Sequence, residues 1–209
     1  MRTRVLSFVV APIVVFAAAC SSGSHDAMDM SGAGSNETSV SVPASAAFNA
    51  EDVSFAKDMI IHHGQAIKMS DLAVDRAEDP RVLALAASIK AAQDPEIATM
   101  TAWLDEWGFD APDPMGSMDD SMDAGGNMDM DMGGMMSSAE MGRLDAASGA
   151  GFDGMFLEMM VRHHEGAVEM SQRVIDQGEY ADVEALARQI IEAQNAEIAE
   201  MRAILAGAS

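Results

Sequence analysis

The feature that most constrains this chain is a repeat at a fixed spacing. Met59-Ile60-Ile61-His62-His63-Gly64-Gln65-Ala66-Ile67-Lys68-Met69 returns as Met160-Val161-Arg162-His163-His164-Glu165-Gly166-Ala167-Val168-Glu169-Met170. His163 minus His62 is 101, and Leu205 minus Leu104 is also 101. No gap is needed between Met59 and Leu104, and nearly half of the aligned positions are identical. Val82, Leu85, Ile89, Gln93, Glu96, Ile97 and Met100 recur as Val183, Leu186, Ile190, Gln194, Glu197, Ile198 and Met201. Within each unit apolar residues repeat at three- and four-residue steps, the period of a helix with one buried face. The spacing predicts helices over about 51–77, 80–108, 152–177 and 181–205. Asp79 is placed as a cap with Pro80 in the first turn, and Pro95 should kink or loosen the second helix. Two hairpins burying one another's stripes make an all-α four-helix bundle.

At about 100° per residue, Met59, His62, His63, Ala66, Met69 and Ser70 share one helical face. The second copy presents Met160, His163, His164 and Met170 in the same way. Two adjacent imidazoles between two thioethers on an inward face read as a soft-metal site. Gln93 and Glu96, with their copies Gln194 and Glu197, sit within the apolar stripe of the second helix of each hairpin. Buried polar groups need partners there. Hairpin arithmetic supplies one: His62 lies 17 residues before Asp79 and Glu96 lies 17 after it, which sets them at about one height. His163 and Glu197 repeat the relation. Outward positions differ freely between the copies: Ile61 against Arg162, Gly64 against Glu165, Lys68 against Glu169.

A single inward histidine is more often a hydrogen-bonded core residue than a ligand, and methionine at helical spacing usually packs. Duplicated histidine pairs level with a carboxylate favour a site. Glu96 and Glu197 fit better as acceptors that orient an imidazole than as ligands. Thioether favours Cu(I), while imidazole accepts copper, zinc, nickel or iron. A di-iron or di-manganese bundle wants Glu-x-x-His on two of its helices, and no Glu stands three residues before any of these histidines. The pattern leans to copper, as Cu(I), Cu(II) or both, with another transition metal as the alternative.

Between the hairpins, residues 109–151 hold nine of the 20 methionines, Met115 to Met141, interleaved with Asp and Gly. This insert is expected to be disordered and resembles the flexible Met-rich segments of exported copper-handling proteins. At the N-terminus, residues 1–19 read as a signal peptide: a cationic start and an apolar run to Cys20. Ala17-Ala18-Ala19-Cys20 resembles a lipoprotein box, which implies lipid on the only cysteine. Residues 20–50 read as a flexible tether carrying a small His25, Met28, Met30 cluster. The net charge of −22, from 34 acidic against 12 basic side chains, repels nucleic acid and concentrates cations. The expected partners are therefore a metal ion and, through the lipid anchor, a membrane on the extracytoplasmic side.

The pattern Met-x-x-His-His-x-x-Ala-x-x-Met, followed by Gln-x-x-Glu-Ile-x-x-Met, resembles the bacterial family of domain of unknown function 305, which contains CopM-like copper-binding proteins. The resemblance covers about 51–205 apart from the insert. It implies a ferritin-like four-helix bundle, export, and copper binding through His and Met. By position it singles out Met59, His62, His63, Met69, Met160, His163, His164 and Met170. Pro95 departs from the second copy, where Ala196 stands, and sets the two halves apart. These readings converge on a copper-binding lipoprotein for buffering or tolerance that captures metal without turnover. A metal oxidase in the bundle and a non-metal structural or adhesion lipoprotein are the rivals. An insert of this length either crosses the bundle, setting the first and third long helices antiparallel with both histidine pairs at a shared centre, or loops locally. Sequence alone does not choose.

Overall fold

Local capping chemistry fixes where three of the helices begin. A computed structural model describes residues 42–43, 46–116 and 133–207. Helix α1 (Ala50–Arg76) starts at Asn49, whose side chain accepts from the Glu51 and Asp52 amides while Asp52 accepts from the Asn49 amide. That reciprocal pair satisfies donors the first turn would otherwise leave open. Helix α2 (Pro80–Trp107) starts at Asp79, with Pro80 in the first turn, and ends at Gly108 in the left-handed region. Helix α3 (Ser138–Ala146) is short and lies within the insert. Helix α4 (Gly149–Gln177) and helix α5 (Ala181–Gly207) form the second hairpin. Pro95 leaves α2 continuous. It sits on the exposed face, where water can take over the carbonyl that proline cannot pair.

The hairpins join through α1 and α4, so the bundle runs α1, α2, α5, α4 around its axis, and the α2–α5 edge is the thinnest. Two buried carboxylates set the direction of the α1–α4 pair. Asp52, in the first turn of α1, accepts from the Glu179 and Tyr180 amides just beyond the end of α4. Asp153, near the start of α4, accepts from the Glu78 and Asp79 amides just beyond α1. Each helix therefore begins where the other ends, and α1 and α4 are antiparallel. Asp153 minus Asp52 is again 101, so one interaction is made twice about a pseudo-twofold axis. The connection between hairpins thus crosses the bundle.

The described C-terminal part of the insert, residues 133–151, departs from the expectation of a structureless segment. Ser137 and Glu140 form the capping box that starts α3. Leu144 of α3 is buried in the core beside Phe152, Phe156 and Met159, and Met136, just before the helix, is buried there too. Apolar burial outweighs the low helix propensity of the surrounding sequence. Cys20, the His25, Met28, Met30 cluster and the insert's methionines from Met118 to Met132 lie outside the described residues.

Removing either carboxylate strands two or three backbone amides. Asp153→Ala and Asp52→Ala should each cost about 2–3 kcal/mol, read as a lower urea midpoint at unchanged m-value. An effect within measurement error in both would contradict the end-clamp account.

Candidate metal centre

The antiparallel crossing brings the two His-His pairs together at mid-height. All four imidazoles are fully buried. His62 and His163, equivalent in the repeat, lie face to face across the α1–α4 contact, with ring centroids 3.7 Å apart and a 37° tilt. His63 and His164 lie outside them, 6.5 Å from His62 and 6.3 Å from His163 between centroids. The outer two reach the second helix of their own hairpin: His63 Nε2 lies 2.6 Å from Glu96 Oε2, and His164 Nε2 lies 2.7 Å from Glu197 Oε2. Both carboxylates keep partial contact with water, at 19% and 16% side-chain exposure, which lowers the cost of holding a charge at the edge of the bundle. Height arithmetic sets His62 level with Glu96; the structure gives the glutamate to His63 and leaves His62 free of it.

His62 finds another partner, as its Nε2 donates to the Gly133 carbonyl at 3.0 Å. The Nδ1 atoms of all four histidines, and Nε2 of His163 as well, have no hydrogen-bond partner among the described residues. Burial drives the His62 imidazole from 6.5 down to about 3, with the Gly133 bond working against the shift and His63 and His164 adding to it. His163 is held well below its ordinary value by burial first and by the neighbouring imidazoles, with the His62 backbone working against the shift. Both rings are therefore neutral at physiological pH, the form in which nitrogen can bind metal.

The thioethers divide around this layer. Met59 lies with Met100 on one side of the core, with half-buried Met170 against them. Met69 lies with Met160 and Met201 on the other. Gln93 and Gln194 are buried as the stripe predicts, yet neither amide has a partner among the described residues. Ser70 and Ser171, also one repeat apart, are buried and unpartnered in the same sense. Among the described residues no three His, Cys, Asp or Glu side chains are grouped to hold one ion. Two facing imidazoles in a core that also holds thioethers suit a soft ion of low coordination number better than a hard one. An imidazole with both nitrogens buried and unpaired is costly in isolation and fits a ligand that supplies the missing partner.

Three site features escape sequence reasoning. Gly64, an outward and freely varying position by sequence, is buried, and a Cβ there would collide with the Pro114 carbonyl. Gly166 meets the Gly133 backbone in the same way. Gln65 holds the backbone of Met136 by two hydrogen bonds, 2.7 and 2.8 Å long. The described ends of the insert thus rest directly on α1 and α4 beside the histidines. Glycine at two helix-interior positions, where alanine is more stable, is the one signal the sequence offers for these contacts.

Comparison with known proteins places the chain in a family. The chain belongs to the family described as domain of unknown function (DUF305), whose match spans residues 52–205. A Streptomyces coelicolor DUF305 protein described as secreted is 35% identical, covering 76% of this chain and 93% of that one, with a TM-score of 0.64. A DUF305 fragment from Deinococcus radiodurans is 31% identical, covering 76% and 97%, with a TM-score of 0.65. CopM in its Cu(II)-bound form is 30% identical, covering 75% and 96%, with a TM-score of 0.61. An uncharacterized protein of Acanthamoeba polyphaga mimivirus is 43% identical over 56 residues, 27% of this chain. The chain spans 37% of that curated relative's length.

Neutral native imidazoles give a signed pH dependence in the metal-free protein. Between pH 6.5 and about 3 the unfolded chain binds protons that native His62 does not, so stability is retained above pH 6.5 and lost as pH falls. Each such histidine contributes a limiting slope of about 1.4 kcal/mol per pH unit. Urea midpoints between pH 7.5 and 5.5 should fall accordingly, and the fall should shrink when His62 and His163 are both replaced by Gln. An identical slope in the double variant would refute buried neutrality.

Proposed function

We propose that this DUF305 protein is an extracytoplasmic copper-binding lipoprotein that buffers copper or confers tolerance to it. The observation that carries the reading is the buried contact between His62 and His163, with neither nitrogen of His163 in a well-formed hydrogen bond among the described residues. Imidazoles from both hairpins would hold the ion. Met59, Met69 and Met160 lie within the core clusters on either side of them, and half-buried Met170 packs against one of those clusters. Glu96 and Glu197 would orient His63 and His164, raising the basicity of the nitrogen that faces the metal. Copper is the cargo here, and no residue is assigned a catalytic step. CopM, similar across three quarters of this chain, has been solved with Cu(II), Cu(I) and silver, which supports a soft monovalent ion as well as Cu(II). The 34 acidic side chains favour cation approach, and the Met-Asp insert would collect metal near the centre.

Export and lipidation rest on the N-terminal sequence, the Cys20 box and the Streptomyces relative described as secreted. No helix among the described residues is long and apolar enough to cross a membrane, and a lipid on Cys20 is the proposed attachment.

Equilibrium dialysis of the mature protein against Cu(I), Cu(II) and Zn(II) tests the assignment. Copper should bind in preference to zinc, and replacing His62, His63, His163 and His164 by Ala should abolish the tight sites. Deleting residues 117–132 should remove only weaker uptake. Unchanged stoichiometry in the four-histidine variant would remove the assignment. Oxygen-dependent turnover of Cu(I), lost in His62→Ala and His163→Ala, would favour the oxidase reading instead.

A further inference from the structure

The two histidine faces are near-copies, yet the structure treats their central imidazoles differently, and the difference traces to two positions. Gln65 in the first copy corresponds to Gly166 in the second, since 166 minus 65 is 101. Both residues act on one segment, Gly133–Met136. Gln65 Oε1 accepts from the Met136 amide and Gln65 Nε2 donates to the Met136 carbonyl. The side chain therefore grips that residue's backbone as a neighbouring strand would. Gly166 leaves the space that the Gly133 carbonyl occupies. Gly133 and Gly134 have φ of +50° and +78°, and a Cβ at Gly134 would collide with the Arg162 carbonyl. The segment is thus a strap laid directly on the α4 backbone, reachable only because three glycines lack side chains. Beyond it, Ser137 and Glu140 start α3, and Glu140 pairs with Arg162 of α4, which fixes the far end.

The strap's contact with the centre is the Gly133 carbonyl on His62 Nε2. A carbonyl oxygen has no hydrogen to donate, so this bond exists only when Nε2 carries the proton. The lone pair of neutral His62 must then lie on Nδ1, which is buried with no partner among the described residues. His163, one repeat away, meets no strap carbonyl: neither nitrogen makes a well-formed hydrogen bond among the described residues, and the polar group set against its ring is the backbone of His62.

We propose that the Gly133–Met136 strap, held by Gln65 and seated on Gly166, locks His62 as its Nε2–H tautomer and thereby selects Nδ1 as the nitrogen offered to a soft metal ion. Gln65 is a positioning residue, since it touches the strap and acts on His62 through it. The pseudo-twofold centre becomes asymmetric as a result: His62 is fixed and His163 is adaptable. The metal in this proposal rests on the copper-binding reading, whereas the tautomer lock belongs to the metal-free protein.

Long-range proton–nitrogen correlation spectra of the metal-free mature protein read the tautomer directly. His62 should show a protonated Nε2 and an unprotonated Nδ1. Gly166→Ala should evict the strap by a backbone clash without weakening α4, because alanine favours helix, and Gln65→Ala should release it independently. Either change should convert His62 to a mixture of tautomers while leaving the His164 signals in place. Ag(I), a diamagnetic probe, should shift His62 Nδ1 with the Nε2 proton retained. Its affinity should drop roughly tenfold in the two variants, the scale on which partners of ligating histidines act. Normal Ag(I) uptake with a His62 spectrum unaffected by both variants, or with silver on Nε2, would overturn the strap alone. No Ag(I) uptake by the unaltered protein would overturn the copper-binding reading, while the tautomer spectra would still decide the lock.

Discussion

Four imidazoles withdrawn from water in one layer are the constraint around which this bundle is arranged. Each would cost several kilocalories if charged and unpaired in such a place. The fold responds in two ways. The outer pair is handed to Glu96 and Glu197, which stand at the edge of the bundle and keep some hydration. The inner pair is kept neutral by burial. The apolar core then divides on either side of the layer, with Ile60 and Ala167 on one flank and Ala66 and Met160 on the other. Asp52 and Asp153 close the two ends by binding the turn of the opposite hairpin. The histidine layer thus sits at mid-height on the pseudo-twofold axis, where equivalent residues must meet.

Much of this is legible because duplication makes sequence redundant. A repeat offset constant at 101 across 46 aligned positions separates a retained inner face from a drifting outer one without any homologue. Both His pairs and both glutamates stand out on that inner face, and the four long helices follow to within a few residues. Glu96 is placed at the height of His62, one residue away from its actual partner, because hairpin arithmetic fixes height along the axis and leaves rotation around it open. Gln93 and Gln194 read as buried polar groups with partners close by, but height alone cannot show whether an amide is reached.

What stays hidden is contact between segments remote in sequence. Asp52 and Asp153 recur at the repeat offset, but their partners are backbone amides 127 and 75 residues away, and amides leave no trace in composition. Gly64 looks like outward variation, and Gly166 draws no notice, because the segments that cross them come from the insert. Helix α3 is masked by the Met, Gly and Asp that dominate its surroundings; the apolar docking of Leu144 and Met136 decides the matter. Not every buried thioether calls for a metal, either. Met100 and Met201 are fully buried in apolar clusters, and packing alone accounts for them.

Two duplicated hairpins building one shared centre is the central claim. Anomalous diffraction from crystals of the protein loaded with Cu(I) or Ag(I) tests it most directly. The account predicts a strong peak in contact with both His62 and His163, on the axis between α1 and α4. Two peaks, each held within its own hairpin at His63 and Glu96 or at His164 and Glu197, with nothing between the hairpins, would contradict it.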